Sequence, residues 1–115
     1  MTVKPIPNSL LGDEIVVMRP GGDSWTETYL HNVRVERINV VEDGAFEKAR
    51  EKTELYVWID FANSYPLMEI WAGMRAKYRG EVFEITKVKT YRAESPHHRK
   101  FTALKIGDDN ELKVV

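Results

Sequence analysis

Between Glu54 and Phe61 the chain reads ELYVWIDF, with Leu55, Val57, Ile59 and Phe61 on one face and Tyr56, Trp58 and Asp60 on the other. Period-two alternation gives a strand two distinct faces and leaves a helix without an apolar stripe. Aromatic residues on the second face predict a strand covered on both sides. A second alternation, MRAKYRGEVFEITKV (residues 74–88), breaks at Arg79-Gly80 and resumes at Val82 through Phe83, Ile85 and Val88. It reads as a hairpin with glycine at its turn.

The rest of the chain follows the same grammar. DEIVVM (13–18) predicts a short strand, RPGGDSWTET (19–28) a turn, and YLHNVRVERINVVE (29–42) a long strand. Val33 and Val35 share a face while Ile38 and Val40 fall out of phase, and a bulge near Glu36-Arg37 would restore the register. NSYPLMEIWAG (63–73) is a crossover with at most one helical turn. The hairpin strands span about 74–79 and 82–91, RAESPHHR (92–99) is a turn, and KFTALKIG (100–107) is the last strand. The expected fold is all-β and mainly antiparallel: a small closed or partly open β-barrel with a long inter-strand loop and at most one short helix. Closing the sheet removes edges that would otherwise aggregate.

With 115 residues, the expectation is one domain spanning 1–115. KPIPNS places two prolines in an extended arm, residues 1–12. Residues 108–115 form a tail. EDGAFEKAREKTE is polar and charged, its apolar stripe too thin for a core-facing helix, so 42–54 reads as a long mobile loop. The chain has no cysteine, which removes disulfides, thiol nucleophiles and Cys-ligated metal sites. No apolar run reaches the roughly 18–20 residues of a membrane span. The first residues lack the pattern of a secretory leader, which points to synthesis in the cytoplasm.

Catalytic constellations are missing from the sequence. His31, His97 and His98 come without HxH, HExxH or a carboxylate-rich loop, so no metal site is expected. Ser9, Ser24, Ser64 and Ser95 lack a GxSxG elbow. RPGGD lacks the Lys-Ser/Thr of a phosphate loop. The expectation is a non-enzyme without cofactors.

Charge is more informative. The net charge is −1, yet residues 1–74 carry 7 Lys and Arg against 12 Asp and Glu, net −5, and residues 75–115 carry 10 against 6, net +4. Arg75, Lys77 and Arg79 on one predicted strand and Lys87 and Lys89 on the next form a candidate basic face, for assembly or for DNA contact. Tyr78 alternates onto the opposite face and is expected in the core. The asymmetry equally suits docking of one copy's basic face on the acidic face of the next.

KPIP, NVRVE and YRGEVFEITKV followed by His97-His98 occur in an order that resembles the small minor capsid proteins of the head–tail connector region of tailed phages and prophages of Gram-positive hosts. These are similar to head-completion, or stopper, proteins of long-tailed phages. The resemblance covers about residues 4–107. It implies a small β-barrel assembling as a ring, commonly twelve-fold, that retains packaged DNA and joins head to tail. It implies portal or adaptor proteins, tail proteins, packaged DNA and other copies as partners, no membrane, and a place at the head–tail interface of the virion after assembly in the host cytoplasm. The stopper's channel loop would correspond to 42–54, with Glu42, Asp43, Gly44, Glu47, Lys48, Arg50, Glu51, Lys52 and Glu54 as channel-facing candidates. The alternative is a small β-barrel that binds nucleic acid or protein in a cellular complex.

Overall fold

The computed structural model describes residues 11–42, 50–92 and 96–109. They form six antiparallel strands: β1 (Asp13–Gly21), β2 (Ser24–Glu42), β3 (Arg50–Asp60), β4 (Arg75–Tyr78), β5 (Glu81–Arg92) and β6 (Pro96–Asp108). They close into a barrel in the order β1-β2-β3-β6-β5-β4. No helix occurs among the described residues.

Two tight turns set the hairpin registers. Arg79 (φ 48°) and Gly80 (φ 80°) join Tyr78 to Glu81, both left-handed as a type I′ turn requires. Gly22 (φ 61°) opens the two-residue turn between the paired Gly21 and Ser24. The turn predicted over 19–28 is therefore only Gly22-Asp23, and its flanks extend β1 and β2.

The core is the inward series of these strands. Ile15, Val17, Leu30, Val33, Leu55, Val57, Ile59, Ala76, Phe83, Ile85, Phe101 and Ala103 form one buried cluster, with Tyr78, Val35 and Val88 packed against it. Tyr78 thus sits where alternation put it. Leu11 is also buried, and Gly12 donates its N–H to Val33 O at 3.2 Å, so the predicted N-terminal arm already belongs to the barrel at its end. At the other terminus, Asp108 still belongs to β6 and Asp109 donates its N–H to Gly80 O at 2.8 Å.

Bulges bend the sheet, but not where the sequence placed one. Asn32 (φ 55°) is the extra residue where Asp13 pairs Val33 and Glu14 pairs His31. Thr86 is the extra residue where Ile85 pairs Ala103 and Lys87 pairs Thr102. Each lets two apolar side chains three residues apart, Leu30 and Val33 or Ile85 and Val88, face the same core. At Glu36-Arg37 the β2–β3 register runs without a shift from Val33↔Ile59 to Glu42↔Arg50. Ile38 and Val40 stay on the outer face.

The loop predicted over 42–54 is shorter than expected. Glu42 and the stretch Arg50, Glu51, Lys52, Thr53 and Glu54 are strand, paired across β2 and β3. Asp43, Gly44, Glu47 and Lys48 lie outside the described residues. β3 pairs β6 only from Glu54 on, and β1 leaves β2 at Val33. The pairs Asn39↔Thr53 to Glu42↔Arg50 therefore form a two-stranded ribbon running past the barrel.

The two barrel ends differ. One is crossed by residues 61–74. The helical turn expected there is instead a single turn at Asp60–Ser64, closed by the Ser64 N–H on Asp60 O at 2.8 Å. Asp60 is fully buried, and its carboxylate accepts the N–H groups of Ala62 (2.8 Å) and Asn63 (3.1 Å). Backbone bonds between His31 and Tyr65, with their rings stacked at 5.0 Å, pin this crossover to β2 beside the Asn32 bulge. The other end is polar. Glu81 receives Arg37 through both oxygens, Nε–Oε1 at 2.6 Å and Nη2–Oε2 at 3.0 Å, and Lys105 at 2.6 Å. This tie joins β2, β6 and the β4–β5 hairpin.

Candidate functional site

The predicted basic face divides in two. β4 meets β5 from Arg75↔Glu84 to Tyr78↔Glu81, so Arg75, Lys77 and Arg79 lie beside the first residues of β5. Lys87 and Lys89 lie farther along, where β5 faces β6. The β4 cations are also engaged. Lys77 holds Glu27 at 2.7 Å and Asp109 at 3.3 Å, and these bonds raise its pKa, the hydrogen bond to Glu27 first. Arg75 lies over the Trp25 ring at 4.7 Å and opposite Glu84, and Arg79 lies over Tyr78 at 5.0 Å.

Lys87 and Lys89 instead join residues that the sequence reading did not single out. The ladder sets Lys89 opposite Lys100 and Lys87 opposite Thr102. It also sets Lys100 opposite Trp58, Thr102 opposite Tyr56, and Trp58 opposite Arg34. The result is one outer face across β2, β3, β6 and β5, carrying Arg34, Lys87, Lys89 and Lys100 among Tyr56, Trp58, Tyr91 and His98. Lys87, Lys89, Tyr91, Lys100 and Thr102 line a groove of about 190 Å³.

Cations and rings on this face are interleaved. Lys100 Nζ lies 4.3 Å from the Tyr56 ring centre and 5.1 Å from that of Trp58. Arg34 lies 5.7 Å from Trp58, and Lys89 lies 4.8 Å from Tyr91. Tyr91 stacks on His98 at 4.5 Å. The aromatic side of β3 is thus covered by cations, where the sequence had suggested a second packed layer. Among the described residues, Arg34, Lys87, Lys89 and Lys100 have no ion-pair partner. Arg37 and Lys52 are ion-paired, and Lys77 and Lys105 each reach two carboxylates. Glu54, bonded to the Tyr56 hydroxyl at 3.0 Å and to Lys52 at 3.3 Å, borders the face, as does Glu36 opposite Tyr56.

A second concavity, of about 330 Å³, lies under the crossover between Leu30, Ile59, Phe61, Met68 and Ile70. Arg99 reaches its rim, donating to Met68 O at 3.4 Å and lying 5.3 Å from the Phe61 ring. Neither concavity brings together a nucleophile, a base and an orienting group. No cluster of three or more His, Cys, Asp or Glu that could hold a metal occurs among the described residues. His31 lies 3.4 Å from Glu14 and stacks on Tyr65; the side chain of His97 lies outside the described set.

Only the ladder reveals the extended face. The alternation Lys87-Lys89 was visible in sequence, but Lys100, Trp58 and Arg34 become its neighbours through pairings between distant strands. The fold and this face define a class: a small closed antiparallel β-barrel with a basic and aromatic outer surface. No protein-family model matches the chain, and no curated protein matches its sequence.

Proposed function

We propose that this chain is a structural protein of a phage head–tail connector, a head-completion or stopper subunit whose copies form a ring that retains packaged DNA and joins head to tail. On this reading its partners are other copies of itself, portal or adaptor proteins on one side, tail proteins on the other, and the DNA in the channel. It resides at the head–tail interface of the virion, after assembly in the host cytoplasm. Its role is architectural, without catalysis.

The observation that carries this reading is the β2–β3 ribbon. Among the described residues, Glu36–Glu42 pair on one side only, with β3. The Val35 N–H donates to the Asp13 carboxylate at 2.8 Å, which shows that this side of β2 points away from β3. Alternation aims the N–H groups of Arg37, Asn39 and Val41 the same way. An open edge of this length is a template for another strand, and a protruding two-stranded ribbon is marginal by itself. Val41, 58% exposed, adds apolar surface to it. Such an element gains most when a neighbouring subunit covers it. A ring uses two different faces of each copy, so an edge on one side of the barrel suits head-to-tail closure.

Electron microscopy of lysates from a phage or prophage with an early stop codon in this gene tests the proposal. Heads that have lost their DNA, beside free tails, are expected. Intact infectious particles would overturn it.

A further inference from the structure

The outer face of β2, β3, β6 and β5 has a property that ring assembly does not require. Four cations, Arg34, Lys87, Lys89 and Lys100, stand together without a carboxylate partner among the described residues. Lys89 and Lys100 are directly opposed in the ladder, a like-charge pair that destabilises an empty sheet face. At the polar end and on β4, by contrast, several cations are ion-paired: Arg37 and Lys105 on Glu81, Lys77 on Glu27 and Asp109.

We propose that this face binds the phosphodiester backbone of duplex DNA without reading its sequence. Lys87 and Lys89 on β5, Lys100 on β6 and Arg34 on β2 each take one phosphate of the backbone passing over this face. Lys87 and Lys89, two apart on β5, lie about 6.6 Å apart along the strand, a spacing of the order of that between neighbouring phosphates. The Tyr56, Trp58 and Tyr91 rings hold Lys100, Arg34 and Lys89 in place. Holding a flexible cation before contact lowers the entropy lost on binding. Those ring faces are occupied by the protein's own cations, so they are not offered to unstacked bases. This favours backbone contact with a duplex over base stacking with a single strand. Contact of these cations with phosphate oxygens gives affinity that varies with salt and not with sequence.

The inference is independent of the connector reading, because it concerns the isolated chain, whereas the stop-codon experiment concerns the particle. The test is fluorescence anisotropy of the full chain with a labelled duplex of about 30 base pairs, titrated at several KCl concentrations. With four phosphate contacts, the slope of log affinity against log salt is expected near about −3.6. A second, unrelated duplex should bind equally. The Lys87→Gln/Lys89→Gln/Lys100→Gln variant should bind more weakly, with the slope reduced by about 2.7. Lys87→Gln alone, at an exposed position without a ring contact, should reduce it by about 0.9 and keeps the test valid if the triple variant misfolds. Lys105→Gln, removing a cation already paired with Glu81, should leave the slope unchanged. An absence of duplex binding at low salt, or an unaltered slope in Lys87→Gln, would overturn the proposal. So would preference for single strands, or salt-sensitive self-association or binding to anionic vesicles in place of duplex binding.

Discussion

Individual residues carry two local constraints with measurable consequences. Asn32 sits at φ 55° in the β2 bulge, a conformation that a side-chain-bearing residue adopts at a penalty and that Asn tolerates best. Asn32→Gly should stay within a few tenths of a kcal/mol of the parent, whereas Asn32→Ala should lose about 1 kcal/mol, measured by chemical denaturation. Glu81 is the other. Its hydrogen bond to Arg37 first, then that to Lys105, lowers its pKa from 4.5 to about 2. As pH falls below 4.5 the unfolded chain takes up a proton that the folded chain refuses. The stability from Glu81 is therefore complete above pH 4.5 and is lost as pH falls toward about 2. Glu81→Gln should be less stable at neutral pH by on the order of 1 kcal/mol, with a flatter loss of stability through that acid window. An acid limb identical to the parent's would show that the tie between β2, β6 and the hairpin contributes nothing.

At the level of elements, one sequence signal occurs three times with two outcomes. Apolar side chains three residues apart occur at Leu30/Val33, Val35/Ile38 and Ile85/Val88. The first and last are bulges at Asn32 and Thr86, because the strand must keep feeding one closed core. The middle one is not, because β2 leaves the barrel there and Ile38 need not face inward. Spacing alone does not distinguish these cases; where the strand's neighbours end does. The ribbon beyond that point gives the element-scale prediction. Val41→Pro removes an N–H aimed at the open edge and leaves the bonds to β3 in place. The variant should melt within a few degrees of the parent, yet particles carrying it should lose their DNA as the stop codon does. Full particles would remove the ribbon edge from the assembly contacts.

The whole molecule is held by closure around one core. Phe83 and Phe101 are fully buried, on the consecutive and paired strands β5 and β6. Phe101→Ala should lose about 3–5 kcal/mol in denaturant unfolding. Tyr29→Ser, at a position 55% exposed, should change stability by about 0.5 kcal/mol or less. A similar loss at both positions would contradict a single central core. Closure pairs β1 with β4 and β3 with β6, contacts distant in sequence, so folding is expected on the slow, millisecond-to-second side for this size, checked by stopped-flow refolding.

Strand identity, the Arg79-Gly80 turn and the all-β class were legible from alternation and glycine placement, because side-chain period and turn conformation are local properties. The inward set Leu55, Val57 and Ile59 and the core placement of Tyr78 were legible for the same reason. Strand ends were not: Arg50–Glu54 is polar and exposed-looking, and only pairing with β2 makes it a strand. Nor was the candidate face, since Lys87 and Lys89 belong with Lys100, Trp58 and Arg34 and not with Arg75 and Lys77. Sequence determines which side of its own strand a residue takes, but which residues share that side across four strands depends on register, bulges and barrel order, and these are set by closing the core.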